Sequence, residues 1–163
     1  MSIKREAAFH EAGHAVMAYF ARFHGIVGSI NLEDYGAGEI YVALLSSKCA
    51  AEGLAPVPEA ARRPDVARDL GLILVSGLIA EQIAAENDEK VKPNLSCSEP
   101  DHALLKEALA NSGLSRKFDQ LEDQARSVLR EHWQAVEVLA AYLLEHVSAD
   151  PIDIDQVLQP ILS

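Results

Sequence analysis

Basic side chains are scarce in this chain. Lys and Arg total 14 against 25 Asp and Glu, a formal net charge of −11. Proteins that neutralise phosphates carry a basic stripe, so neither nucleic acid nor anionic lipid is an expected partner. Cysteine is nearly absent: Cys49 and Cys97 alone cannot make a disulfide framework, and a reduced, cytoplasmic setting is expected. Long apolar runs are also missing. The longest, Leu70 to Ala80, is interrupted by Gly71, Ser76 and Gly77. It falls short of the ~20 residues that cross a bilayer, so no membrane segment is expected and the run reads as a buried helix. The opening Met1-Ser2-Ile3-Lys4-Arg5 does not fit a signal peptide. No internal repeat of about 20–50 residues is present.

What remains is an ordinary globular composition. Apolar residues make up 49% of 163 residues, which suits a single domain over residues 1–163 with one core. The pattern along the chain is mostly α with a small β hairpin. A first helix is expected over about residues 3–23, with Phe9, Val16, Phe20 and Phe23 at helical spacing. Gly13 inside it costs about 1 kcal/mol relative to Ala, which a close neighbour or a metal would offset. Ser29–Leu32 and Glu39–Leu44 read as two strands of a hairpin around a Gly-containing loop. Residues 46–64 read as a long loop, with a short helix near Glu59–Arg63. A central buried helix is expected from Asp65 to about Glu86. Ser98 is expected to cap the next helix and Gly113 to close it. Asp119 and Glu122 resemble a capping box that opens one long helix to about His146, followed by a short terminal turn.

One pentapeptide states a chemistry. His10-Glu11-Ala12-Gly13-His14 is an H-E-x-x-H motif in a helical segment. Residues four apart on a helix share a face. Two imidazoles so placed can hold one Zn²⁺, and the Glu between them can reach an activated water as general base. The same five residues also arise by chance, so the third ligand decides. A metzincin His is absent, because Phe20 stands where it would fall. Glu81, Asp101, Cys97 and His102 are the candidates. Asp101 also reads as a capping partner of Ser98. Glu81, in an apolar helix, needs a partner if buried, and the second nitrogen of a ligand His would provide one. His102 points about 100° away from Asp101 on a helix and reads as a rim residue. His132 reads as a core histidine, Cys97 as a small buried side chain, and His24 and His146 as solvated.

The segment Arg5-Glu6-Ala7-Ala8-Phe9-His10-Glu11-Ala12-Gly13-His14-Ala15-Val16 resembles the opening of the peptidase domain of FtsH-type ATP-dependent zinc proteases. Ser76-Gly77-Leu78-Ile79-Ala80-Glu81 is similar to that family's Gly-Gly-Arg-Ala-Ala-Glu, and Glu99-Pro100-Asp101-His102 to its Asn-Asp-Leu segment. The closing helix is similar in pattern, and the likeness runs along nearly the whole chain. The resemblance implies a zincin-like fold. It also implies His10, His14 and Asp101 as zinc ligands, Glu11 as general base and Glu81 as an acidic residue behind the ligands. Two departures stand out. The family's Arg is Leu78 here, and Ser96-Cys97-Ser98 replaces its Thr-Gly-Ala. No G-x-x-x-x-G-K-[ST] occurs in the chain. A stand-alone zinc metallopeptidase is therefore expected, acting on short or unfolded peptides without its own ATP hydrolysis. An ATPase partner in trans and a homo-oligomer are compatible with it. The edge near Ile40, Tyr41 and Val42 could hold an extended substrate by β-augmentation. The rival expectation is a non-proteolytic zinc module that binds a partner protein. A helical interaction domain without metal would make His10, His14 and Asp101 a coincidence.

Overall fold

Two helices rich in small residues set the architecture. The computed structural model describes residues 5–34, 42–93, 95–114 and 117–162, and all their side chains except those of Asp34 and residues 95–100. Helix α1 spans Arg5–Phe20 and buries Ala7, Ala8, Ala12, Ala15 and Ala18. It packs along α3, Pro64–Asn87. At their crossing Gly13 carries no side chain, and a Cβ there would lie 2.5 Å from Ala80 Cβ and 2.6 Å from the Ser76 carbonyl oxygen. The close neighbour expected to offset this glycine is thus α3 itself. Helix α3 begins at Pro64, whose missing N–H costs nothing at a first helical position. Its Ile73, Leu74, Ile79 and Ile83 are fully buried. Truncating one of them to Ala costs about 2–5 kcal/mol.

The other helices flank this pair. Helix α4, Leu95–Ser112, and α5, Phe118–Glu131, pack on α3. Helix α6, Trp133–His146, packs on α1, and α7, Pro151–Leu162, packs on α6. A short α2, Ser46–Ala51, and a 3-10 segment, Pro58–Arg62, occupy much of the stretch expected to be loop.

Several expectations are corrected. The strands do not form the expected hairpin. β1, His24–Ile26, pairs antiparallel with β3, Val42–Leu44, whereas β2, Ile30–Asn31, pairs with β4, Ser148–Ala149. Ile40 and Tyr41 lie outside the described residues, and Val42 is the first residue of β3. The expected long closing helix is broken at His132. Its two halves serve different partners, α3 and α1, although the apolar spacing runs through the break. Asp119 forms no cap, because Lys117 stands at that position and no side chain caps the helix. The reciprocal cap sits further on. Asp153 N–H donates to Asp150 Oδ1 at 2.8 Å, and Asp150 N–H donates to Asp153 Oδ2 at 3.0 Å. It opens a twelve-residue helix where one turn was expected. Gly113 does close α4: with φ +77, it lets Leu114 N–H reach the Leu109 carbonyl at 2.8 Å.

Candidate metal centre

The start of α4 decides what Asp101 can do. The helix begins at Leu95, ahead of the expected cap at Ser98, so Asp101 stands at its seventh position. The free N–H groups of a helix are confined to its first turn. Asp101 therefore does not cap α4. Its carboxylate is buried and faces α1 instead, with Oδ2 at 3.2 Å from His10 Nε2 and 3.0 Å from His14 Nε2. The two Nε2 atoms are 3.0 Å apart. Their i, i+4 spacing brings both rings to one face of α1, with ring centroids 4.6 Å apart and planes nearly perpendicular. His10, His14 and Asp101 are the one group of described residues whose ligand atoms converge closely enough for a metal.

The far side of each ring fixes the tautomer of its neutral form. His14 Nδ1 lies 2.7 Å from the Ile73 carbonyl oxygen, which can only accept, so Nδ1 donates. His10 Nδ1 lies 2.8 Å from Glu81 Oε2 and donates to that fully buried carboxylate. In each neutral ring Nε2 then carries the lone pair. Two nitrogen lone pairs and one carboxylate oxygen thus converge in a triangle with edges of 3.0–3.2 Å. Such a cluster needs a cation, either protons on the rings or a divalent metal. Zinc bonds of about 2.0–2.1 Å in a tetrahedron give ligand–ligand edges of about 3.3–3.4 Å. The triangle is within a few tenths of an ångström of that face, and the N,N,O donor set suits zinc.

The charges are tuned accordingly. Burial lowers the His10 pKa, but hydrogen bonding to Asp101 and Glu81 outweighs it and raises the value to about 10. Burial raises that of Asp101, yet His14 and His10 hold it well below the usual carboxylate range. Glu11 is half-buried as a residue, and its carboxyl group makes no hydrogen bond to the described residues. Burial of its carboxyl group pushes the pKa up, against the pull of His14 and His10. That direction suits a proton acceptor better than a permanent anion.

Glu81, read from the sequence either as a ligand or as an acidic residue behind a ligand histidine, lies against His10 Nδ1. His102 is half-buried against the Phe118 ring, with centroids 5.7 Å apart, and does not join the triangle. His132 stacks on Phe20 at 4.3 Å. His146 is half-exposed beside Tyr142. The Cys97 side chain lies outside the described residues.

Sequence reasoning missed two features. Gly77 faces the triangle across the helix crossing, and its relevant signal was a glycine in the middle of a buried apolar helix. The second feature is a separate cluster around His24. That residue was expected to be solvated but is buried. Asp69 on α3 accepts from the backbone N–H of Arg22 at 2.7 Å, Phe23 at 3.0 Å and His24 at 3.1 Å, and from His24 Nδ1 at 2.7 Å. Lys48 donates to the carbonyls of Ala18 and His24 at 2.9 and 2.7 Å. This cluster fastens the turn after α1 to α3. An Asp between Arg68 and Leu70 in an amphipathic stretch gave no sequence signal for it.

The chain matches no protein-family model and no curated protein sequence. No helix among the described residues is long and apolar enough to cross a membrane.

Proposed function

We propose that the chain is a zinc metallopeptidase of the FtsH peptidase type, acting on short or unfolded peptides. The observation that carries this reading is the convergence of His10 Nε2, His14 Nε2 and Asp101 Oδ2 at 3.0–3.2 Å, with both rings locked as Nε2 lone-pair donors. His10, His14 and Asp101 would hold the ion. Zinc bound there would polarise a peptide carbonyl and acidify a water. Glu11, the next residue to a ligand and raised in pKa, accepts the proton of the attacking water and returns it to the leaving amine. Glu81 and the Ile73 carbonyl keep the two rings oriented. Asp101 neutralises part of the charge gathered at the site.

Substrate access has one supporting feature. A cavity of ≈ 450 Å³ is lined by Val42, Leu70, Leu74, Leu104 and Ala108 among others, with Leu74 and Leu104 three residues from Gly77 and Asp101 along α3 and α4. Its apolar walls suit bulky side chains of an extended peptide, and Val42 belongs to β3, the strand we assign to β-augmentation. The zincin-like fold and the cytoplasmic setting belong to the same reading, and the free, buried thiol of Cys49 fits a reducing compartment. We also assign to this reading unfolding by an ATPase in trans and assembly into a homo-oligomer.

One observation favours a second reading. The three ligands are only 3–4% exposed, and closed sites are typical of structural zinc. In that reading the domain is a non-proteolytic zinc module that binds a partner protein.

Purified protein loaded with zinc should cleave an unfolded casein or a labelled peptide, and chelation should stop it. Glu11→Gln should keep one zinc per chain and lose about 10²–10⁴-fold in turnover, the range for a general base. Zinc bound without cleavage in the wild type selects the module. Turnover untouched in Glu11→Gln sinks the mechanism.

A further inference from the structure

Three residues of α3 line up behind the triangle. Ile73, Gly77 and Glu81 are each four apart and so share one stripe of the helix. The stripe opposes His10 and His14, themselves four apart on α1. Ile73 offers its carbonyl to His14 Nδ1, and Glu81 offers its carboxylate to His10 Nδ1. Between these two anchors stands a residue with no side chain. A Cβ on Gly77 would lie 2.6 Å from His10 Nε2, 2.6 Å from His10 Cε1 and 2.6 Å from His14 Nε2. Non-bonded carbon contacts are comfortable only near about 3.5–4.0 Å. Neither ring can retreat freely, because each is pinned through Nδ1 to α3 itself, on either side of the glycine.

We infer that Gly77 is a positioning residue of the metal site, the gap in α3 that lets both imidazoles present their Nε2 atoms to one point. The inference rests on the metal-centre reading above. It differs from simple helix packing, which accounts for Gly13. The atoms nearest the Gly13 gap are the Ala80 methyl and the Ser76 backbone, whereas those nearest the Gly77 gap are the two imidazoles. A methyl at position 77 displaces at least one ring from its anchor and spreads the triangle.

A second α3 glycine supplies the control. A Cβ on Gly71 has as its nearest atoms the Leu121 and Leu105 methyl groups, at 2.9 and 3.0 Å, and neither imidazole.

The test is a background comparison. Gly77→Ala in the otherwise native chain should weaken zinc binding at least a hundredfold by competition with a chromophoric chelator, and should alter the visible spectrum of the cobalt-loaded protein. Gly71→Ala should leave zinc affinity within about threefold. In metal-free protein, Gly77→Ala should lower Tm when His10 and His14 are present. In a His10→Ala/His14→Ala background the same change removes a helix-interior glycine with its three nearest atoms gone, so Tm should rise by about 2–4 °C. That second background also covers the case in which Gly77→Ala alone fails to fold. Zinc affinity untouched by Gly77→Ala, or an equal fall in Tm in both backgrounds, overturns the role of Gly77. Wild-type protein that binds no metal overturns the metal centre itself, and the metal-free comparison then reads the steric claim alone.

Discussion

Two buried histidine–aspartate clusters sit on the same helix pair, and they differ in what faces the carboxylate. Asp69 meets N–H groups: three from the backbone after α1 and one from His24 Nδ1. Asp101 meets two Nε2 atoms whose rings already donate elsewhere. Both carboxylates are buried and both are held below their usual pKa, Asp69 by His24 and the backbone N–H groups of Arg22 and Phe23 against the cost of burial. Burial, proximity and pKa direction therefore do not separate them. The balance of donors and acceptors does. A cluster in which donors meet acceptors is complete as protein, and a cluster in which lone pairs converge is satisfied only by a proton or another cation.

The largest expected effect follows from pH. In metal-free protein His10 has a folded pKa of about 10 against a reference of 6.5. Its raised pKa contributes stability that is fully present below about pH 6.5 and is lost as pH rises through about 10. The loss is on the order of several kcal/mol. Asp69 has the opposite sign: its lowered pKa gives stability present above its reference of 3.8 and lost as pH falls below it. Metal-free protein should thus weaken on the alkaline side, and zinc-loaded protein should not, because the metal replaces the proton. Urea unfolding at pH 7 and 9.5, with and without zinc, reads the difference. Parallel pH slopes in the two forms would mean that zinc does not take the place of the His10 proton.

Next in size is Asp69→Ala. It strands the His24 ring and three backbone N–H groups, and removal of one partner from a buried charged cluster costs about 3–5 kcal/mol. Zinc stoichiometry should stay at that of the wild type. A loss of zinc together with stability would show that the two clusters are one cooperative unit and do not differ in what they hold.

How much of this contrast the sequence carried depends on the range of each interaction. His10, Glu11 and His14 were legible because their relation is set by one turn of helix. Helix α3 was legible from its apolar run, although Pro64, its first residue, was read as the end of the loop before it. Asp101 was not decidable from its neighbours. Whether it caps α4 or turns toward α1 depends on where α4 begins, and the helix starts at Leu95 instead of after Ser98. His24 was misread as solvated because its partner lies on α3, with nothing local to announce it. The strand pairing failed for the same reason: Ile30 finds its partner in Ala149, near the other end of the chain. The closing helix showed continuous spacing across His132, yet the chain bends there to reach two different helices.

Chelation comes third. A ligand that binds only the folded state stabilises it by about 2.7 kcal/mol when its free concentration is a hundred times Kd. Stripping zinc should lower the unfolding free energy by that amount, and a wild-type stability indifferent to zinc would mean that the Asp101 cluster holds only protons. Asp69→Ala should show the same zinc-dependent increment as the wild type, since its cluster plays no part in holding the metal. An increment that vanishes in Asp69→Ala would again join the two clusters.

The smallest effect tests the residue behind the ligand. Glu81 is fully buried and accepts from His10 Nδ1 at 2.8 Å. Glu81→Gln keeps the length of the side chain and an oxygen that can accept the same proton, so the tautomer of His10 should survive. What is lost is the negative charge that makes the ring a stronger donor to a metal. Partners of this kind change metal affinity about 10–100-fold, or about 1.4–2.7 kcal/mol. The substitution should therefore weaken zinc binding by that factor while leaving one zinc per chain at saturation and the helix content unchanged. His24→Gln, made at the other cluster, should leave zinc affinity alone. Equal zinc affinities for Glu81→Gln and the wild type would show that Glu81 only fills space behind His10, and the contrast between the two clusters would then rest on the three converging atoms alone.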